Sequence, residues 1–332
     1  MENDMLFDGF GRKIEYLRIS VTDRCNLRCR YCMPKGGAKL LSHDDILRHE
    51  EIARIAKILA KMGIRKVRLT GGEPLLRKNI TELIKMLKQT SGIEKVYLTT
   101  NGILLGKMAD ALTKAGLDGV NVSLDTLDEA RFSFLTRSGG EMLAAIKDGL
   151  KKVLADGRLK VKLNCVPLHG INEAEIAEIA ALAKVYPVKV RFIRLMPLGC
   201  AKDGECCGMT LPEVGAILEK SFGKMAKIKL NEAAQGPAEY FSLDGFCGLV
   251  GFIDAIDSKF CQGCNRLRLT ADGFLKLCLN AKDGADIKTL LRQNISDGEL
   301  KKILCAAIVK KPQEHFFGSG DSDRRQMFQI GG

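Results

Sequence analysis

Six of the twelve cysteines in this 332-residue chain fall into two tight groups. Cys25, Cys29 and Cys32 form a CxxxCxxC run. Cys261 and Cys264 form a CxxC pair, with Cys278 following after thirteen residues. Three thiolates so close together can wrap three corners of one inorganic centre, and soft sulfur ligands select zinc or iron–sulfur. Structural zinc takes four protein ligands, usually in paired CxxC spacing. The first group therefore needs a distant fourth ligand to be a zinc knuckle. A cubane cluster on three cysteines instead leaves one iron open to an outside ligand. For the second group, spacing alone favours a zinc ribbon, with Cys247 available as the fourth thiol. Arg266 and Arg268 lie on one face of the hairpin between Cys264 and Cys278, whose turn is Asp272-Gly273. Two cations beside such a centre suit a substrate anion.

The rest of the composition narrows the chemistry. Net charge is +12, from 52 basic and 40 acidic residues, which favours an anionic partner such as nucleic acid or a phosphorylated small molecule. Hydrophobic residues make up 46% and charged residues 28%, as in ordinary globular proteins. No uncharged apolar run reaches about 18 residues, so no membrane span is expected. Acids precede any apolar stretch at the N-terminus, which argues against a secretory signal and for the cytoplasm. A disulfide framework does not suit a cytosolic chain of this length. The four histidines show no zinc-site spacing, and no HExxH motif occurs. Residues 102–108 have the wrong spacing for a phosphate-binding loop.

The elements that must hold these residues follow from periodicity. Strands are predicted at 17–22, 66–70, 96–99, 120–125, 161–166 and 190–195. Helices are predicted at 44–62, 80–89, 107–115, 141–155 and 173–184. Gly63, Gly92 and Gly116 stop three of the helices. Six βα units in series imply a parallel sheet, open or curled into a barrel. The rhythm breaks near residue 225, which divides the chain into 1–225 and 226–332. On composition alone, the polar end through Gly331-Gly332 is a loose tail.

Strand alternation then assigns faces. Leu17, Ile19 and Val21 face the helices, so Arg18, Ser20 and Thr22 face away. The same logic turns Lys66, Arg68, Thr70, Asn121, Ser123, Asp125, Lys162, Asn164 and Arg191 to that second face. A curled sheet would therefore enclose a wet cationic cavity suited to an anion. An open sheet with one solvated face fits the pattern comparably well.

The aromatic Tyr31 before the third cysteine, and Gly71-Gly72-Glu73-Pro74 at the end of the second strand, complete a resemblance to the radical S-adenosylmethionine enzymes. Glycine there lets backbone approach a ligand closely. Further segments run in order along residues 9–332: LTTNG, NVSLD, RFIRLMPLG, NRLRLT after the second CxxC, and the terminal IGG. Together they resemble the GTP 3′,8-cyclase family. The resemblance implies an α/β fold, an incomplete (β/α)6 TIM-like barrel with a C-terminal iron–sulfur module. It implies a lyase-class enzyme that cyclises GTP to (8S)-3′,8-cyclo-7,8-dihydroguanosine 5′-triphosphate, the first step of molybdenum cofactor biosynthesis. In that family a 5′-deoxyadenosyl radical takes hydrogen from C3′, and C3′ then attacks C8.

The resemblance also implies site residues and partners. Cys25, Cys29 and Cys32 hold one [4Fe–4S] cluster, and Cys261, Cys264 and Cys278 a second. Tyr31, Gly72, Ser123 and Met196 contact S-adenosylmethionine. Arg18, Lys66, Arg68, Thr99, Lys162, Arg191, Arg266, Leu267 and Arg268 contact GTP, and Gly331 and Gly332 reach the active site. Expected partners are an electron donor such as flavodoxin or ferredoxin and a downstream cyclic pyranopterin monophosphate synthase. A homodimer is compatible with the family; a membrane or nucleic acid is not expected. The chain departs from the family at Arg194, where an acid is common, and in the crowding of Cys200, Cys206 and Cys207. Cys165 and Cys305 read as buried apolar positions, and His43, His49, His169 and His315 as core or surface residues. The competing reading is a peptide-modifying radical maturase with an auxiliary cluster, although such enzymes lack NRxRLT with a GG end. A zinc-stabilised nucleic-acid binder is disfavoured by the 6% aromatic content.

Overall fold

The computed structural model describes residues 5–229, 236–257, 260–315, 317, 323 and 325–331. The chain begins with β1 (Tyr16–Ser20), α1 (His49–Lys61), β2 (Lys66–Thr70), α2 (Ile80–Lys88), β3 (Lys95–Thr100), α3 (Leu105–Lys114) and β4 (Gly119–Ser123). It continues through α4 (Glu129–Thr136), α5 (Met142–Asp156), β5 (Lys160–Cys165), α6 (Ile176–Val185), β6 (Lys189–Ile193) and α7 (Leu211–Phe222). The C-terminal third adds β7 (Ala226–Ile228), β8 (Glu239–Ser242), β9 (Leu249–Ile253), β10 (Arg266–Leu269), β11 (Phe274–Lys276) and β12 (Gly284–Asp286). It ends with α8 (Ile287–Arg292), α9 (Asp297–Val309) and α10 (Met327–Ile330).

All six predicted strands form within two residues of their expected bounds. The first helix starts later than periodicity suggests, because His43–Asp45 is a separate 3-10 turn capped by Ser42. The helix α4 was not predicted. Its buried residues are Phe132, Leu135 and Thr136, too few to print an apolar stripe on eight residues. The start of α7 is set by a capping box in which Thr210 and Glu213 satisfy each other's backbone N–H.

The sheet has twelve strands in the order β12-β11-β10-β1-β2-β3-β4-β5-β6-β9-β8-β7. The eight central strands, from β10 to β9, are parallel. Antiparallel strands flank them on both sides. The sheet does not close on itself, so the architecture is an incomplete TIM-like barrel. Leu17, Val67, Leu98, Val122, Leu163, Val190 and Leu267 point to the helices and share one core. Their sequence neighbours point inward and line a single cavity that runs from β1 to β6. One cavity reaching both of these strands requires a curled sheet, which decides between the two arrangements the alternation left open.

Candidate active site

Topology places the two cysteine groups at opposite edges of the parallel sheet. Cys25, Cys29 and Cys32 follow the C-terminal end of β1. Cys261 and Cys264 precede β10, and β10 runs parallel to β1 in the register Tyr16↔Arg266 and Arg18↔Arg268. Cys278 follows the antiparallel β11, which returns the chain to that same edge. Five strand residues at about 3.3 Å each separate the edges by about 17 Å. Between them lies a cavity of about 390 Å³ lined by all six cysteines.

The cavity wall is cationic. Arg18, Lys66, Arg68, Lys162, Arg191, Arg266 and Arg268 all line it. Burial, then the neighbouring Arg268, pulls Arg18 well below the usual arginine range. Burial and Arg266 bring Arg268 to about 10. Lys162 falls to about 7 through burial, then through Arg191, Lys189, Arg68 and Lys66. Burial likewise depresses Arg191, whose guanidinium donates to Asn164 Oδ1. Arg68 donates to the Tyr16 hydroxyl and stacks 5.0 Å from the centre of the Tyr97 ring. Burial opposes ionisation of Tyr16, but Arg68 and Arg18 outweigh it and bring the phenol to about 8. Among the described residues, the Thr99 hydroxyl and the Arg191 Nε have no hydrogen-bond partner. Like charges held together out of water are costly without a counter-anion.

The first cysteine group is braced from the next two strands. Gly71 has φ +151°, and a side chain on it would meet the Thr22 carbonyl at 2.5 Å. A Cβ on Gly72 would lie 2.3 Å from the Arg24 carbonyl. These glycines therefore admit the cysteine loop's own backbone, although both also line the cavity. Glu73 is buried and accepts from Thr100 Oγ1 at 2.7 Å and from the Asn101 backbone N–H at 2.7 Å. The Asn101 amide in turn bonds Asn26 at 2.8 Å and lies 3.9 Å from the Cys25 sulfur. Burial raises Glu73 to about 7 and Cys25 to about 11. Cys29 and Cys32 are raised well above the usual thiol range by burial and by the other cysteines of the group. Three thiols that resist ionising together suit a polycationic centre that accepts them as thiolates. Tyr31 donates to Asp125 at 2.6 Å, and burial lifts Asp125 to about 6. Ser123 and Met196 line the same end.

The second group differs from the first at Cys264. Burial raises Cys261, and Cys278 and Cys264 add to the rise, against a backbone bond from His315. Burial also opposes ionisation of Cys264, yet Arg266 and Lys311 outweigh it and bring the thiol to about 7. Arg12, paired with Asp8 at 2.6 Å, donates to the Cys261 carbonyl at 2.8 Å. Each group brings three thiols to the cavity wall, the donor set that a cluster with one open iron would require.

The C-terminal residues run from the first cysteine group to Arg268 of β10. The Phe328 backbone N–H bonds the Cys32 sulfur, and the Gly331 carbonyl accepts from Arg268. Gly331 has φ +81°, and a Cβ there would lie 2.3 Å from Thr70 Oγ1. Gly332 lies outside the described residues.

Two family models match the chain. Residues 19–183 match the Radical SAM superfamily and residues 188–317 match Molybdenum Cofactor Synthesis C. A GTP 3′,8-cyclase of Desulforamulus reducens is 46% identical over 330 residues, covering 98% of this chain and 100% of the relative. One of Moorella thermoacetica is also 46% identical, over 98% of this chain and 99% of that one. The chain belongs to the GTP 3′,8-cyclase family. Among solved structures, Streptococcus suis SuiB bound to S-adenosylmethionine shares the fold, with a TM-score of 0.60 at 16% identity. The match covers 90% of this chain and 68% of SuiB.

Within this cyclase-family fold, nearly all the expected site residues converge. Leu267 is the exception: its side chain is fully buried in the core behind β10 and it does not line the cavity. Arg194 adds no unpaired cation, because Asp254 at 3.2 Å and Asp257 both pair with it. Cys200 is buried near Cys32, Cys206 packs beside Tyr31, and Cys207 is exposed. Cys165 is fully buried, while Cys305 is half-buried against the core. His49 accepts from Arg77 at 3.4 Å, and the exposed His169 lies 3.5 Å from Glu173. His315 is a cavity residue and contacts Phe317 at 4.3 Å between ring centres.

Sequence reasoning missed Tyr16, Tyr97, Lys311 and His315, all of which line the cavity. Tyr16 and Tyr97 share the parity of Arg18 and Thr99: Tyr16 lies one residue before the predicted first strand, and Tyr97 lies within the third, whose faces the alternation was not used to assign. Lys311 and His315 carry no local signal.

Proposed function

We propose that this chain converts GTP into (8S)-3′,8-cyclo-7,8-dihydroguanosine 5′-triphosphate, the first step of molybdenum cofactor biosynthesis. The observation that carries the reading is the cationic cavity between two cysteine triads. When bound, a [4Fe–4S] cluster with S-adenosylmethionine supplies a 5′-deoxyadenosyl radical that takes hydrogen from C3′ of GTP, after which C3′ attacks C8.

The chain's own residues bind, orient and exclude water. Cys25, Cys29 and Cys32 hold the first cluster. Tyr31, Gly72, Ser123 and Met196 contact S-adenosylmethionine, and Asp125 fixes the Tyr31 ring. Cys261, Cys264 and Cys278 hold a second [4Fe–4S] cluster beside the guanine. Arg18, Lys66, Arg68, Lys162 and Arg191 clamp the triphosphate, whose charge of about four answers theirs. Thr99, Arg266 and Arg268 complete the GTP contacts. Gly331 accepts from Arg268 and orients it toward the substrate. Enclosure shields a radical from quenching. We further assign residues 1–225 as the S-adenosylmethionine unit and 226–332 as the unit carrying the second cluster and tail, although both contribute to one sheet.

No helix among the described residues is long and apolar enough to cross a membrane; we place the reaction in the cytoplasm. There a flavodoxin or ferredoxin supplies electrons, and a cyclic pyranopterin monophosphate synthase consumes the product. A homodimer is compatible with this scheme.

Anaerobic reconstitution followed by iron and sulfide analysis tests the assignment. About eight irons per chain, with 5′-deoxyadenosine formation coupled to loss of GTP, is the expected result. Zinc in both sites, or 5′-deoxyadenosine formation indifferent to GTP, would overturn it.

A further inference from the structure

The segment that carries the first cysteine group has an outer face as well as an inner one. Residues 24–40 contain five cations, Arg24, Arg28, Arg30, Lys35 and Lys39, and no carboxylate. Arg24, Arg28, Lys35 and Lys39 are exposed. None of these four side chains forms an ion pair among the described residues. Three acids beside or bonded to this segment, Asp23, Glu73 and Glu205, do not neutralise this face. Asp23 and Glu73 are buried, and Glu205 is paired with Arg30 at 3.6 Å and with Arg137.

Three large apolar side chains are exposed on the elements bonded to this segment. Leu40 is 45% exposed, Leu76 42% and Phe134 49%. Leu41, next to Leu40, donates to Asp23 at 2.6 Å. The Arg24 carbonyl accepts from the Glu73 backbone N–H at 2.8 Å, and Glu73 caps the turn Pro74–Leu76. The Arg28 backbone N–H donates to the Thr136 carbonyl at 2.9 Å. Arg30 bonds the Phe134 carbonyl at 2.8 Å and lies 3.9 Å from the centre of its ring. An apolar centre with a charged rim is the anatomy of a protein contact, and a small one suits transient electron-transfer pairs.

We infer that the outer face of the cysteine loop, which carries exposed Leu40, Leu76 and Phe134 together with Arg24, Arg28 and Lys39, docks an acidic electron-carrier protein. This inference rests on the proposed function, which requires an electron at the centre held by Cys25, Cys29 and Cys32. Docking here brings the carrier's redox group against the loop that holds that centre. Cationic complementarity sets the encounter rate and its salt dependence.

The test uses the reconstituted holoenzyme with a reduced flavodoxin as the probe and dithionite as a reductant that needs no docking. In an Arg28→Glu/Lys39→Glu variant, flavodoxin-driven 5′-deoxyadenosine formation falls about ten-fold at low ionic strength, while the dithionite-driven rate and iron content stay at the wild-type level. Labelled-flavodoxin anisotropy shows binding weakened by a similar factor, and about 0.5 M salt erases the wild-type advantage. A Lys35→Glu/Lys39→Glu variant repeats the test further from the cysteine ligands. Unchanged flavodoxin binding and rate in both variants overturn the docking face. Failure of the wild-type enzyme with dithionite would instead count against the proposed function, with the anisotropy still judging the docking.

Discussion

At the scale of single residues, the cavity is a set of cations held short of their ordinary basicity. Lys162 shows the consequence most directly. Burial and the surrounding arginines and lysines bring it to about 7, so the empty site holds it largely neutral at pH 8. A bound triphosphate favours the charged form and lifts the lysine back toward its usual range. GTP binding at pH 8 should therefore take up a proton, and GTP affinity should weaken as pH rises above 7. Calorimetry in buffers of different ionisation enthalpy measures the uptake directly, and Lys162→Met should remove most of it. These cations were legible because a strand alternates with period two, so the apolar residues of β1, β2, β5 and β6 assigned the polar ones to the other face. The bracing of Cys25 by Glu73 through Asn101 was not legible. It joins residues in the segments that follow three different strands, and no local pattern records such a bond.

At the scale of elements, two glycines set how closely segments approach. Gly72 lets the end of β2 lie against the cysteine loop. A Gly72→Ala change forces the Arg24 carbonyl away and costs about 1–3 kcal/mol. The expected effect is selective: iron falls from about eight to about four per chain, with the second site still loaded. Gly331 lets the tail reach Thr70 in a left-handed conformation. Gly331→Ala should stop GTP cyclisation while sparing uncoupled formation of 5′-deoxyadenosine, as followed by chromatography of both products. Strands β1–β6 and helices α1, α2, α3, α5 and α6 were readable because each buries one face, whereas α7 and α9 and the pairing of β9 and β10 onto the parallel sheet were not predicted. Nor was the short helix α4, since it buries too few residues to show a period. The tail's composition suggested a loose end. Yet Phe328 and Ile330 are buried, and that burial depends on a cavity built by distant strands.

At the scale of the molecule, the C-terminal third joins the barrel through the β1–β10 and β6–β9 pairings, and a buried ion pair fixes the tail within that third. Lys276 of β11 is fully buried and pairs with Asp323, near the tail helix. Replacing Lys276 with Met leaves the buried Asp323 carboxylate with only the longer contact to the Arg325 guanidinium, at 3.6 Å. A loss of about 1–3 kcal/mol follows, visible as a lower anaerobic melting temperature. An unchanged melting point would show that this pair does not anchor the tail.

The pairing of β1 with β10 also governs how the chain can be made. Residues 16–20 leave the ribosome early, but their partner at 266–269 is among the last elements synthesised. Until then β1 presents a bare edge, and β6 waits similarly for β9. Contacts so distant in sequence form slowly, and exposed edges invite pairing with other chains. The nascent protein therefore has to keep an unfinished sheet from associating with its neighbours, and its yield in the cell should depend on chaperones more than that of an enzyme whose barrel closes in chain order.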